Sequence, residues 1–103
     1  MQFVVIARDG TDDEAPARRR AVRPTHLEAI QPFVDAGNVL VGGAILSENG
    51  EMVGSMLLEF VDRAALDAWI ERDPYVTGDV WREIEVRPFR AAVGVWRPDE
   101  VSP

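Results

Sequence analysis

Residues 39–60 read VLVGGAILSENGEMVGSMLLEF, and two strands joined by a tight turn account for them. Strands are predicted over 39–46 and 52–60, both predominantly apolar. Between them, Ser47-Glu48-Asn49-Gly50 supplies an Asn-Gly pair, the strongest short hairpin signal, because such turns need positive φ. The centre of the chain is therefore read as an antiparallel hairpin. Gly42-Gly43 weakens its first strand. Glycines inside a strand mark either a bulge or a place where something approaches the backbone closely.

Working outward, the hairpin is flanked by helical patterns. Residues 14–22 are helix-forming, but Pro24 disfavours the helical conformation at Arg23, so a break is expected there. Pro24 then suits the first turn of a new segment running to Ala36. Leu27, Ile30 and Val34 share one face of it, and His26, Ile30 and Phe33 mark the edge of that face. Pro32 is expected to kink the last turn, and Gly37-Asn38 to close it. On the other side, Asp62 is an N-cap candidate for a helix over 63–72, with Leu66, Trp69 and Ile70 as its apolar stripe. Asp73-Pro74 stops that helix, and 75–79 reads as a connection hinged at Gly78.

The two outer elements are strands. Residues 2–7 are almost continuously apolar, as in a central strand buried on both faces. In 80–89, Ile84 and Val86 alternate with Glu83, Glu85 and Arg87, and Pro88 marks an edge. Residues 91–96 allow a short fifth strand or an arm, and 97–103 form a polar tail. One domain, 1–96, is expected to precede that tail. The order βαββαβ is the split βαβ of an α+β, ferredoxin-like fold, with a four-stranded antiparallel sheet and two helices on one face. The face without helices predicts a homodimer in which two sheets pack together as a dimeric α/β barrel.

Composition removes several mechanisms. The chain has 103 residues and no cysteine. Disulfides, thiolate nucleophiles and thiolate metal sites are therefore excluded. All eleven basic residues are arginine, so no lysine Schiff base can form. With a single histidine, no His-x-x-x-His zinc pair exists within one chain. No metal or organic cofactor is expected. A net charge of −7 disfavours nucleic acid. Arg18-Arg19-Arg20 with Arg23 is the one basic cluster, read either as an anion-binding patch or as a solvated helix face balanced by Asp12, Asp13 and Glu14. No run approaches the roughly 20 apolar residues of a membrane span, and the N-terminus lacks the pattern of a secretory signal. A cytoplasmic location is expected.

His26 is the residue with the chemistry for a site, since imidazole exchanges protons near neutral pH. Asp73 is the candidate to orient it. No serine or threonine lies in a nucleophile-elbow motif: Thr25, Ser47 and Ser55 all lack that context.

Arg23-Pro24-Thr25-His26-Leu27, Gly43 at a strand end, Asp73-Pro74-Tyr75-Val76 and Val86-Arg87-Pro88-Phe89 occur in the order seen in the YciI-like (YCII-related) family, which residues 2–90 resemble. The resemblance implies a ferredoxin-like homodimer of the dimeric α/β-barrel superfamily. It implies a cleft site with His26 and Asp73 as its active pair. It also brings in dehydrochlorination and isomerisation as reactions of related proteins. The family usually has Gly-Pro where this chain has Gly43-Ala44, which alters the local pocket wall. Tyr75 and Arg23 are candidate substrate-binding residues beside Gly43. Two function classes follow: a cofactor-independent acid–base enzyme acting on a small enolisable or aromatic substrate, or a non-catalytic dimeric module that binds a small molecule or a partner.

Overall fold

A computed structural model describes residues 2–94. The tail over 97–103, and the end of the segment over 91–96, lie outside the described residues. Seven elements follow in order: β1 (Gln2–Asp9), α1 (Ala15–Asp35), β2 (Val39–Leu46), β3 (Met52–Glu59), α2 (Arg63–Arg72), α3 (Pro74–Thr77) and β4 (Trp81–Phe89). The four strands form one antiparallel sheet in the order β2-β3-β1-β4. The fold is ferredoxin-like. Among the described residues, no helix is long and apolar enough to cross a membrane.

The sheet is a two-sided surface whose sides differ. Val5 stands opposite Leu57 on β3 and Val86 on β4, so all three share the side that carries the helices. Phe3, Val5, Ala7 and Leu57 are buried there against Ile30 of α1 and Leu66, Trp69 and Ile70 of α2. The alternate residues Val4 and Ile6 face the other side and are only half-buried. The prediction that β1 is buried on both faces therefore holds for the helix side alone.

The predicted break at Arg23 is absent. α1 runs unbroken for 21 residues with Pro24 and Pro32 inside it. Each proline removes one backbone bond, to the carbonyls of Arg20 and Glu28. Both prolines, and both of those residues, are exposed. Water can satisfy the freed carbonyls on that side, and packing of the opposite face holds the helix together. Gly37 ends the region at φ +80°. The predicted connection over 75–79 contains a one-turn helix, α3, and the positive φ falls on Asp79 (62°).

Gly42 and Gly43 stay in register, opposite Leu57 and Met56. The irregularities lie on either side of them, at 39/41 and 45/46, so the expectation of a bulge at the glycines is displaced by a residue or two. Gly54 and Gly78 have a steric reason: a Cβ would run into the carbonyl of Ala7 on the neighbouring strand at the first, and into the carbonyl of Pro74 at the second.

One core residue is out of character. Glu59, at the end of β3, is 2% exposed, and its Oε1 is buried with no hydrogen-bond partner among the described residues. Burial, reinforced by the Asp73 carboxylate, raises its pKa from 4.5 to about 7. The folded protein therefore keeps a proton that the unfolded chain releases. Stability from this group is greatest below pH 4.5 and is lost as pH rises to about 7. The loss is on the order of 3 kcal/mol at most, since one pKa unit is worth about 1.4 kcal/mol. Glu59→Gln should match the wild type in urea unfolding at acid pH and be the more stable protein at pH 8. Parallel stability curves across that window would refute the account.

Candidate active site

The continuous helix decides which side chains meet. On α1, Arg19, His26 and Ile30 lie seven and four residues apart and are all buried toward the sheet. Arg23, one turn after Arg19, extends the row at the exposed margin. Had the helix broken at Arg23, Arg19 and His26 would not share a face. Across from this row lie Val39, Gly42 and Gly43 of β2 and Ser55 and Leu57 of β3. The cleft between them encloses about 380 Å³. That is within the range of small-molecule sites, which run from about 300 to 1,000 Å³. Gly43 stands opposite Met56, so a Cβ there would point to the helix-free side of the sheet, and only its backbone borders the cleft. At Gly42 a Cβ would lie 3.3 Å from Leu57 Cδ2.

His26 and Asp73, 47 positions apart, are in contact. Nδ1 of the imidazole lies 2.9 and 3.1 Å from the two carboxylate oxygens. Both side chains are buried, Asp73 to 1% exposure. Oδ1 of Asp73 also accepts from the backbone N–H of Tyr75 at 2.8 Å. Asp73 therefore caps α3 and anchors His26 with one carboxylate. A carboxylate only accepts, so it fixes the proton of a neutral imidazole on Nδ1 and leaves the Nε2 lone pair free. No described protein group hydrogen-bonds Nε2, and His26 lines the cleft.

Tyr75 is placed by the turn that Asp73 starts. Its ring stacks on the imidazole with centroids 3.9 Å apart at 18°. Trp81 meets the imidazole edge-on at 5.8 Å. The Arg19 guanidinium lies 4.7 Å from the Tyr75 ring centre, a cation–π contact. Burial pushes the Tyr75 phenol above its usual pKa, while Arg19 and Arg23 pull in the other direction. The phenol is thus neutral, and a donor, near pH 7.

The reading of the basic cluster as a solvated face holds only in part. Arg18 does pair with Asp12 at the surface. Arg19 does not: it is 4% exposed, its Nη1 donates to both oxygens of Asp9, and its Nη2 donates to Ser55 Oγ at 2.9 Å. Trp81 Nε1 donates to the same oxygen at 3.1 Å. Sequence reasoning missed Arg19, Asp9 and Ser55 as members of this cluster. The signal was the seven-residue spacing from Arg19 to His26, which the expected break concealed. All five residues singled out from the sequence, His26, Asp73, Arg23, Gly43 and Tyr75, are brought to this region. Among the described residues, no group of three or more His, Cys, Asp or Glu side chains could hold a metal ion.

Comparison with known proteins places the chain in a family and a fold. The family model for the YCII-related domain matches residues 1–90. Protein YciI of Escherichia coli is 31% identical over 97 residues, covering 87% of this chain and 97% of its own. Among solved structures, 5-chloro-2-hydroxyhydroquinone dehydrochlorinase from Burkholderia phenoliruptrix, in complex with 2,5-dihydroxybenzoquinone, superposes with a TM-score of 0.77. It is 19% identical, with 89% of this chain and 96% of that chain covered. A putative antibiotic biosynthesis monooxygenase from Bacteroides thetaiotaomicron gives 0.56 at 18% identity, covering 93% of this chain and 94% of its own. At those identities the two structures speak to fold, whereas the sequence match speaks to descent: this chain belongs to the YCII-related domain family.

Proposed function

We propose that the chain is a small acid–base enzyme that needs no cofactor and acts on a small enolisable or aromatic substrate by elimination, as in dehydrochlorination, or by isomerisation. The observation that carries this reading is the buried Asp73 carboxylate on Nδ1 of a histidine that lines a cleft. In this scheme Nε2 of His26 takes a proton from substrate carbon or oxygen. The imidazolium that results is stabilised by Asp73. In isomerisation it returns the proton to another atom of the substrate. In elimination the electron pair left behind expels chloride as the C–Cl bond breaks, and the imidazolium gives its proton to water. Tyr75 supports the ring by stacking. Arg23, at the cleft margin, attracts an anionic group, and the strand at Gly42 and Gly43, with no side chain on its cleft side at Gly42, leaves backbone for a substrate to approach. The fold neighbour that removes chloride from a hydroxyquinol is consistent with this chemistry.

The experiment is a panel of chlorinated hydroxyquinols, lactones and enolisable ketones, assayed with wild type, His26→Asn and Asp73→Asn. A general base contributes about 10²–10⁴-fold, and His26→Asn should lose that factor in kcat on whichever substrate turns over. Asp73→Asn should lose most of it too, because an amide NH₂ facing Nδ1 favours the wrong tautomer. Equal turnover by His26→Asn would refute the proposal and favour the non-catalytic binding module.

We also propose a homodimer formed through the sheet side without helices. Val41 and Met56 are 49% and 37% exposed there, beside half-buried Val4, Ile6 and Ile45. Removing such apolar surface from water contributes roughly 25 cal/mol per Å². Light scattering should give twice the 11.4 kDa chain mass. Met56→Glu should shift the equilibrium toward monomer, and a wild type that is monomeric throughout would overturn the idea.

A further inference from the structure

A serine hydroxyl has one hydrogen to donate and two lone pairs to accept with. At Ser55 both lone pairs are taken, by Arg19 Nη2 and by Trp81 Nε1. Neither nitrogen can accept, so the direction of both bonds is fixed. The hydroxyl hydrogen has no acceptor among the described residues, and Ser55 lines the cleft. We infer that Ser55 is a hydrogen-bond donor to an oxygen anion of the ligand, an enolate or phenolate oxygen carried on a small apolar body.

Three observations converge on that ligand class. First, donation from a cation and from an indole polarises the Ser55 oxygen and strengthens its own O–H as a donor. Second, the local charge favours an anion. Asp9 faces Nη1 of Arg19 and offsets that charge, but Arg19 Nε is buried without a partner, and Arg23 lines the cleft with no ion pair among the described residues. Third, Leu27, Ile30, Val39 and Leu57 supply an apolar wall for the rest of the molecule. A donor fixed in place before the ligand arrives needs no reorganisation when charge develops on the ligand oxygen. This inference uses the cleft as the substrate site and so rests on that part of the proposed function, but it does not require His26 to be catalytic.

The test uses 4-nitrophenol, whose neutral and ionised forms absorb differently. Bound to the wild type, it should ionise at a pH at least about one unit below that of the free phenol, a tenfold preference for the anion. His26→Asn should keep most of that shift. Ser55→Ala should lose it. Ser55→Ala strands two buried donors, so Ser55→Cys, which fills the site but donates weakly, is the second variant and should also lose the shift. Ser55→Thr retains the hydroxyl and should preserve it. Circular dichroism establishes that each variant is folded at the assay temperature. A wild type that does not bind the phenol, or binds it without preference for the anion, overturns the inference. So does a shift that survives in Ser55→Cys. Failure of the acid–base reading looks different, with the shift intact and turnover unaffected in His26→Asn.

Discussion

The Asp73 carboxylate is the contact on which the rest of the site depends. It is buried to 1% exposure and holds two partners from different parts of the chain, the Tyr75 amide and the His26 ring. The first bond starts α3 and so fixes where Tyr75 points. The second ties α1 to the end of α2. A buried ionised group is tolerated only when its lone pairs are filled. Here the filling groups are those that build the site. Glu59 lies close enough to feel the same charge, and its Oε1 has no hydrogen-bond partner among the described residues. Burial first, and the Asp73 charge second, raise its pKa to about 7. Asp73 differs in that its oxygens are engaged by the Tyr75 amide and His26.

The Arg19–Asp9 pair poses a similar question of cost. Both side chains are 5% exposed. Removing two charges from water offsets much of their attraction, so such a pair is weak evidence for stability. Its consequence is geometric. Asp9, at the end of β1, pins one arm of the guanidinium, and the other arm then reaches Ser55 on β3. Trp81, at the start of β4, reaches the same hydroxyl from the other side. Three strands and one helix thus converge on a single oxygen, and its position is set by more contacts than a side chain needs for packing alone.

Most of the fold was legible because strand and helix periods differ and the turn residues are explicit. The Asn-Gly hairpin, the Asp62 cap and the Leu66, Trp69, Ile70 stripe are local features, each stated by residues near one another. The error at Arg23 came from applying a local rule where tertiary packing prevails. A proline costs a helix one bond, and the buried row of Arg19, His26 and Ile30 outweighs that cost when the freed carbonyl faces water. His26 and Asp73 were paired in advance through chemistry and family likeness. Arg19 and Ser55 were not, because an arginine among arginines and a serine in a strand carry no signal until the sheet register is known.

That register explains why the polar and apolar parts of the cleft separate. On β3 the side facing the helices carries Ser55, Leu57 and Glu59 at alternate positions, since side chains two apart share a face. Ser55 falls beside Arg19 and Trp81, toward the start of α1. Leu57 falls opposite Ile30, one turn after His26. The cleft is therefore polar at one end and apolar at the other, with the imidazole between the two. Under the proposed function, a ligand with one oxygen and an apolar body would direct its oxygen to the Ser55 end and its body to the Leu57 end, which would set the carbon next to that oxygen beside His26.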